Sequence, residues 1–407
     1  MENEGNIITS LDIGSSKTVA LIGRDHYESE IEIIGAGIAP SRGIKSGGVT
    51  NIEQTVKSIK EAMEEAEIMS GIEVSNVIIN VTGKHIHGDN SIGVIAITNK
   101  DRIITSNDIY RVIEAAQSIR IPSDQEILHV LSRAFKVDDQ GGIKDPTGMV
   151  GVRLEADVHI ITGSSTHMQN TEKAIHESGL RITDRVLSSL AGSYSILSES
   201  EKELGVAVVD IGAGVMDIII YVDGGISYST ALCIGSHHMT QDISIGLKTP
   251  IESAELLKKR YGSVVSEAID PEEVIEVPSV GDRPPRVTSR KELSEIMEAR
   301  MRELLELIDH EIVRSGTKNT LAGGIIFTGG GALVEGLVQL AEEVVNLGAS
   351  IGVPKGFTGV VEKISSPVFA TATGLIQYAA KYGETQTDKK HSGGLFDRMK
   401  NWIQENL

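Results

Sequence analysis

Two segments of the chain end an apolar run with an aspartate and place a glycine two residues later: LDIGSSKT, with Asp12 and Gly14, and VVDIGAGVMD, with Asp210, Gly212 and Gly214. The spacing suits phosphate chemistry. Gly14 lets the backbone approach a phosphate without a Cβ clash, and the amides of Ser15 and Ser16 can turn inward as an anion nest. Lys17 adds a point charge for a β- or γ-phosphate. Asp12, at its strand end, is placed to hold Mg2+ through waters, as suits a hard ion that dehydrates reluctantly. Asp210, Gly212, Ala213 and Gly214 supply the opposing jaw, with Asp210 as the second Mg2+ carboxylate and Asp217 as a further one. One D-x-G turn would be a plain aspartate-capped β-turn. A third element strengthens the pattern: GGIIFTGGGALVEGL reads as a buried strand, three glycines and a helix start, so Gly329, Gly330 and Gly331 can let adenosine lie against bare backbone at a helix N-terminus.

Other nucleotide motifs fail in detail. GAGIAP (Gly35 to Pro40) has a proline where the third glycine of a dinucleotide fingerprint belongs, and neither glycine stretch heads a βαβ unit with an acid about 20 residues on. No G-x-x-x-x-G-K-[ST] occurs.

The elements that must position these turns repeat. IITSLDIGSSKTVALI and GVAVVDIGAGVMDIIIY both read as strand, tight turn, strand, and each leads through a third strand to helical patterning, at 52–69 and 252–262. The chain is expected to be two related α/β halves. Residues 84–161 interrupt the first half with their own strands and helix and are read as an inserted α+β interaction subdomain. The expected organisation is 1–83 and 162–204 for the first domain, 205–367 for the second with a small subdomain near 250–315, and 368–382 as a closing helix of the first. Prolines in 274–290 argue for edge strands or loop, and 292–313 for a long amphipathic helix. Residues 383–394 are polar and without apolar periodicity, as a flexible linker is.

Composition excludes several classes. With 407 residues, 40% of them hydrophobic, the chain can bury a sizeable multidomain core. A net charge of −19 repels polyanions, and only 3% aromatic residues leave few stacking platforms, so nucleic acid is not an expected partner. No apolar run reaches about 18 residues and the start is acidic, so neither export nor membrane spanning is expected. Cys233 has no second cysteine to pair with and reads as a small hydrophobe. Adjacent His237 and His238 are awkwardly spaced for one metal.

The two hairpins and the late glycine turn, in this order, resemble the actin-like ATPase superfamily. The resemblance implies an actin-like fold of two related domains around a nucleotide cleft, with ATP and Mg2+ as cofactors. AELLKKRYG is similar to that superfamily's A-E-x-x-K segment, which implies that Glu255 and Lys258 lie near the ribose. Chaperone-like and actin-like members place a Glu or Gln before the second hairpin to orient the attacking water. Here Ser188 and Ser189 stand there, and a serine is no base without help, so hydrolysis is expected to be slow or absent.

GIKSGG (43–48), TGKHI (82–86), LHV (128–130) and GGIKDPTGMVGVRLEADVHIITG (141–163), with LAGSYSIL and ELGVAVVDIGAGVMDI, are similar to the FtsA family of bacterial cell-division proteins. That resemblance implies self-association into filaments with the insertion contributing contacts. It also implies tethering of the tubulin-like protein FtsZ through residues around 270–315, recruitment of downstream division proteins, and a peripheral location at the septum on the cytoplasmic membrane face. The rivals are a PilM-like pilus-assembly homologue and a DnaK-type soluble ATPase.

The C-terminus supports the membrane reading physically. On a helix at about 100° per residue, Leu395, Phe396, Met399, Trp402, Ile403 and Leu407 share an arc of about 140°. Arg398 and Lys400 flank it, where they can snorkel to anionic lipid headgroups. The linker gives this segment, 395–407, a reach of roughly 20 Å.

Overall fold

The computed structural model describes residues 5–26, 30–118, 120–281 and 283–383. The first domain opens with an antiparallel meander, β1 (Asn6–Ile13), β2 (Lys17–Asp25) and β3 (Ile31–Pro40), followed by a short hairpin of β4 (Ile44–Lys45) and β5 (Gly48–Val49). Helix α1 (Ile52–Ser70) then leads to β6 (Asn76–Val81), parallel to β1. Asn51 starts α1 by accepting from the Gln54 amide, and left-handed Gly71 ends it. Ile59, Ala62, Met63 and Ala66 bury the helix at 3–4-residue spacing. Gly35 and Gly37 of β3 lie directly beneath: a Cβ on either would overlap the carbonyl oxygen of Ala66 or Ala62. GAGIAP is therefore a close helix-on-strand contact.

The insertion follows as β7 (His87–Ala96), α2 (Ser106–Ala116), β8 (Gln125–Val137), β9 (Gln140–Ile143) and β10 (Arg153–Ser164). Its antiparallel sheet has the order β7-β10-β8-β9. A capping box of Thr105 and Asp108 fixes α2, and Ile109, Val112, Phe135, Leu154 and Val158 form a core of its own. The chain then returns through α3 (Ser165–Glu177), β11 (Arg181–Leu187), α4 (Ser188–Ile196) and α5 (Glu199–Leu204).

The second domain repeats the plan with the meander β12 (Val206–Ile211), β13 (Met216–Val222) and β14 (Gly225–Leu232). Helices α6 (Ser236–Gly246) and α7 (Ile251–Tyr261), the hairpin β15 (Val274–Val277) and β16 (Arg286–Ser289), and the long α8 (Arg290–Arg314) come next. The domain closes with β17 (Ile325–Thr328), α9 (Leu337–Val345) and β18 (Ala349–Ile351). Its sheet order, β14-β13-β12-β17-β18, matches β3-β2-β1-β6-β11 of the first sheet strand for strand. The chain recrosses earlier than expected: β19 (Phe357–Gly359) already pairs with β3, ahead of residue 368. A strand of three residues carries too little pattern to be seen in sequence. Short α10 (Val361–Ile364) and α11 (Ala370–Tyr382) complete the first domain. The expected linker and amphipathic helix, beyond residue 383, lie outside the described residues.

One apolar core joins all three parts. It gathers Leu128, Leu131 and Ile161 of the insertion, Val186 and Leu190 of the first domain, and Val206, Val208, Ile219 and Ile226 of the second. The insertion is also fastened to β14 by polar contacts. Buried His159 on β10 donates from Nδ1 to Asn90 Oδ1 (2.7 Å) and accepts at Nε2 from the Ser229 hydroxyl (2.8 Å), while Asn90 donates to the Ser227 carbonyl (3.0 Å). Both ring nitrogens are satisfied in the neutral imidazole.

Burial, with the Arg133 guanidinium adding to it, pushes His159 from 6.5 down to about 4. The unfolded chain therefore takes up this proton first, and stability is full above pH 6.5 and falls as the pH drops toward 4. Urea titrations of wild type and His159→Gln should diverge in slope across that window, wild type losing up to ~3 kcal/mol more. Parallel pH profiles would refute the assignment.

Candidate functional site

The two D-x-G turns have the same construction. Gly14 N–H donates to Lys17 O and Gly212 N–H to Val215 O, both at 3.0 Å, so each turn closes with its glycine amide tied back across the hairpin. In register, Asp12 pairs with Val19 and Asp210 with Asp217, which makes Asp217 the second domain's counterpart of an apolar residue in the first. The turns face each other: a Cβ on Gly214 would lie 3.0 Å from Ser15 Oγ. Ser16 is exposed, and Lys17 Nζ sits 5.5 Å from the centre of the Phe369 ring.

Each second-domain carboxylate is held by a hydroxyl from the first domain. Thr371 on α11 donates to Asp210 Oδ2 (3.1 Å), and Thr82, just beyond β6, reaches both oxygens of Asp217 (2.7 and 2.8 Å). Sequence reasoning missed both threonines, because neither stands near a hairpin in the chain. Only the fold brings them there.

The electrostatics are those of excess negative charge in low dielectric. Desolvation raises Asp12 to about 7, with the Asp210 carboxylate adding and Lys17 opposing. Desolvation raises Asp217 to about 8, again with Asp210 adding and the Thr82 hydroxyl opposing. Asp210 is raised by burial against the pull of Thr371 and Lys17. Burial in turn lowers Lys17, Asp12 and Asp210 work the other way, and Lys259 of α7 lowers it further. Three carboxylates thus crowd one another, and Asp12 and Asp210 share one desolvated ammonium. A polyphosphate entering this site would be repelled unless a cation came with it, so the donor set fits a hydrated Mg2+. Among the described residues no three Asp, Glu, His or Cys side chains come close enough to cage a metal directly. Phosphate oxygens and waters would have to complete the shell, with Asp12 and Asp210 as the outer carboxylates.

The glycine turn differs from its expected form. After β17 a single 3-10 turn (Gly330–Leu333) intervenes, and α9 begins only at Leu337. Gly329 has a φ of 81°, and a Cβ there would overlap Asp210, while one on Gly331 would overlap Ile211. These two glycines let β17's exit lie against β12. Gly330 is exposed, with open space where its Cβ would be, and is the one whose bare backbone faces solvent.

Glu255 and Lys258 on α7 form an ion pair of 2.6 Å, and both bond to Thr240 of α6, at 2.6 and 2.8 Å. Against the effect of burial, the hydrogen bonds from Lys258 and Thr240 hold the Glu255 carboxyl below its usual range. The chain leaving α7 joins the one leaving the glycine turn through Val264 N–H to Glu335 O (2.9 Å), so α7 and Gly330 belong to one wall. Ser188 is buried at the start of α4, donating to Val81 O (3.2 Å) and accepting from Asn80 Nδ2 (3.1 Å). Asn80 in turn accepts from the Ile13 amide (2.8 Å). Ser188 thus helps to hold the first hairpin's strand, and buried Ser189 Oγ has no partner among the described residues.

Comparison with known proteins gives the family. The family model for cell division protein FtsA matches residues 207–374, and that for the SHS2 domain inserted in FtsA matches 83–162. The cell division protein FtsA of Pseudomonas aeruginosa is 40% identical over 413 residues, covering 99% of both chains. That of Escherichia coli K12 is 37% identical, covering 98% of each, and that of Bacillus subtilis 36%, covering 95% of this chain and 86% of the relative. Among solved structures, the PilM–PilN type IV pilus biogenesis complex superimposes with a TM-score of 0.68 at 14% identity, covering 92% of this chain and 98% of that one. MreB5 of Spiroplasma citri bound to AMPPNP gives 0.57 at 12% identity, covering 92% and 96%. The doubled sheet, the facing hairpins and the inserted subdomain are therefore those of an actin-like fold, and the chain belongs to the FtsA family of cell division proteins.

Proposed function

We propose that the chain binds ATP with Mg2+ between its two hairpins and assembles into filaments on the cytoplasmic face of the cell membrane. There it links FtsZ to the membrane at the division septum and helps to recruit downstream division proteins. The observation that carries the nucleotide reading is the pair of matched turns closing on a surplus of carboxylates, opposite an exposed glycine backbone. In support, the solved MreB5 structures from Spiroplasma citri hold ADP and AMPPNP. Gly14, Ser15, Ser16 and Lys17 bind phosphates from one side, Gly212, Ala213 and Gly214 from the other, and Glu255, Lys258 and Gly330 line the adenosine wall. With Ser188 committed to Asn80 and Val81, it does not serve as a base for water, and turnover is slow or absent. Family membership favours cell division over the pilus and chaperone-type alternatives.

The membrane step rests on the amphipathic pattern of residues 395–407. No helix among the described residues is long and apolar enough to cross a membrane. The tail departs from a fixed point, since Tyr382 at the end of α11 bonds to the Tyr194 hydroxyl (2.9 Å). One short helix binds lipid weakly, so a polymer that carries many gains avidity, and assembly and attachment reinforce each other.

Two experiments test this reading. Gly330→Ala should keep wild-type stability within about 0.5 kcal/mol yet weaken ATP by about tenfold or more in calorimetric titration. Gly331→Ala, which must push Ile211 aside, should lose about 1–3 kcal/mol of stability. Unchanged ATP affinity in Gly330→Ala would place adenosine elsewhere. For the membrane step, the full chain should sediment with anionic liposomes and a chain ending at Tyr382 should not. Equal behaviour of the two would make the tail a docking helix.

A further inference from the structure

The point from which the C-terminal tail departs is also a junction between the domains. α5, on the crossover from the first domain to the second, carries Lys202, a charged side chain that is only 6% exposed. Its Nζ lies 4.9 Å from the centre of the Tyr194 ring, on α4 of the first domain, and 5.7 Å from that of Tyr221, on β13 of the second. Its carboxylate partner, Glu199 at 2.7 Å, is itself largely exposed. An ammonium held out of water between two aromatic rings is attracted to both, so Lys202 ties one domain to the other. Two hydrogen bonds reinforce the tie at the same place. Gly224 N–H, after β13, donates to Lys202 O (3.1 Å), and the Tyr221 hydroxyl shares a hydrogen bond with Ser193 Oγ of α4 (2.6 Å). Tyr194 passes the tie on to α11: its hydroxyl bonds to Tyr382, and its ring meets Tyr378 and Tyr382 edge-on, with centroids 5.7 and 5.8 Å apart. The last turn of α11 is thus fixed by Tyr194, and Tyr194 by Lys202.

Two elements run from the carboxylate cluster to this junction. α11, in the first domain, has Thr371, the partner of Asp210, in its first turn and Tyr382 at its end, about 16 Å along the helix axis. β13, in the second, has Asp217 near its start and Tyr221 four residues on, about 13 Å along the strand. β13 is hydrogen-bonded on both edges, to β12 and β14, and a helix is stiff along its axis, so neither element absorbs a displacement at one end.

We infer that Lys202 is a pin between the two domains that also holds the root of the tail, so that a change of angle between the domains loosens or tightens the last turn of α11. The inference rests on the nucleotide reading above, which supplies the change of angle, and adds where that change is felt outside the cleft. A nucleotide drawn between the two D-x-G turns shifts Asp210 and Asp217 relative to Thr371 and Thr82. β13 and α11 then slide past each other, and the spacing of the Tyr221 and Tyr194 rings changes. A buried ammonium, with little water to fall back on, follows one ring and leaves the other, and the contact of Tyr194 with Tyr382 is altered in step.

Hydrogen–deuterium exchange of the full chain tests this for wild type, Lys202→Met and Lys202→Arg, each without nucleotide and with Mg2+ and a non-hydrolysable ATP analogue. In wild type the analogue should protect residues 12–17 and 210–214 and also change exchange at 378–383. Lys202→Met fills the space without the charge. Exchange at 378–383 should then rise about tenfold without nucleotide and no longer respond to the analogue, while protection at the two turns persists. Lys202→Arg, which keeps a cation against the rings, should respond as wild type does, and behaviour like that of Lys202→Met would overturn the inference. No response at 378–383 in wild type, or an equal response in Lys202→Met, would overturn it too while leaving nucleotide binding intact. Should Lys202→Met not fold, the wild-type response decides alone. If the analogue protects neither turn, the nucleotide reading falls and the pin is judged on the unliganded chains: a tenfold rise at 378–383 in Lys202→Met keeps it, and equal exchange removes it.

Discussion

Three carboxylates from two different sheets are held within electrostatic reach of one another, and two of them, Asp12 and Asp210, within reach of a single lysine. That arrangement is costly in low dielectric. It persists because each second-domain carboxylate accepts from a threonine of the first domain, Asp210 from Thr371 and Asp217 from Thr82. Those two hydroxyls can arrive only if α11 and the end of β6 converge on the turns of β12 and β13. The common core of Leu131, Val186, Val208 and Ile219 brings this about. Much of the molecule can be understood as the scaffolding that keeps these carboxylates together where the two domains meet.

The same constraint explains where side chains are absent. β17 must emerge beside Asp210, and Gly329 and Gly331 leave room for it against β12. The glycines of β3 do the equivalent service for α1. A glycine-rich stretch in this chain is thus more often a place where backbone meets backbone than a place where backbone meets ligand. Of the three glycines in the late turn, only Gly330 has free space in front of it.

This bears on what could be read from sequence. The two D-x-G hairpins were legible because every feature that defines them lies within a few residues: an apolar strand, an aspartate, a glycine and a second strand. The duplication was legible for the same reason, and so was the insertion, whose strands carry their own alternation. Thr82 and Thr371 were not legible as partners of these carboxylates. Their role comes from contacts across long sequence separations, and threonine carries no periodic signal of its own. β19 was lost because three residues cannot establish a period. The 3-10 turn before α9 was missed because three glycines followed by apolar residues fit a helix start equally well.

The insertion is bound to both domains, and this sets its mechanical position. It leaves the first domain through residues 82–86 and returns to it at α3, yet Asn90 and His159 bond it to Ser227 and Ser229 of β14 in the second. β14 is the third strand of the meander whose first turn is Gly212–Gly214. The cluster that packs Leu128 and Leu131 against Ile226 of the second domain also packs them against Val186 and Leu190 of the first, and the Leu187 amide of β11 donates to His129 of β8 at 3.0 Å. The insertion, although encoded within the first domain, is thus clamped by both, and rotation of one domain against the other would have to strain its contacts with one of them.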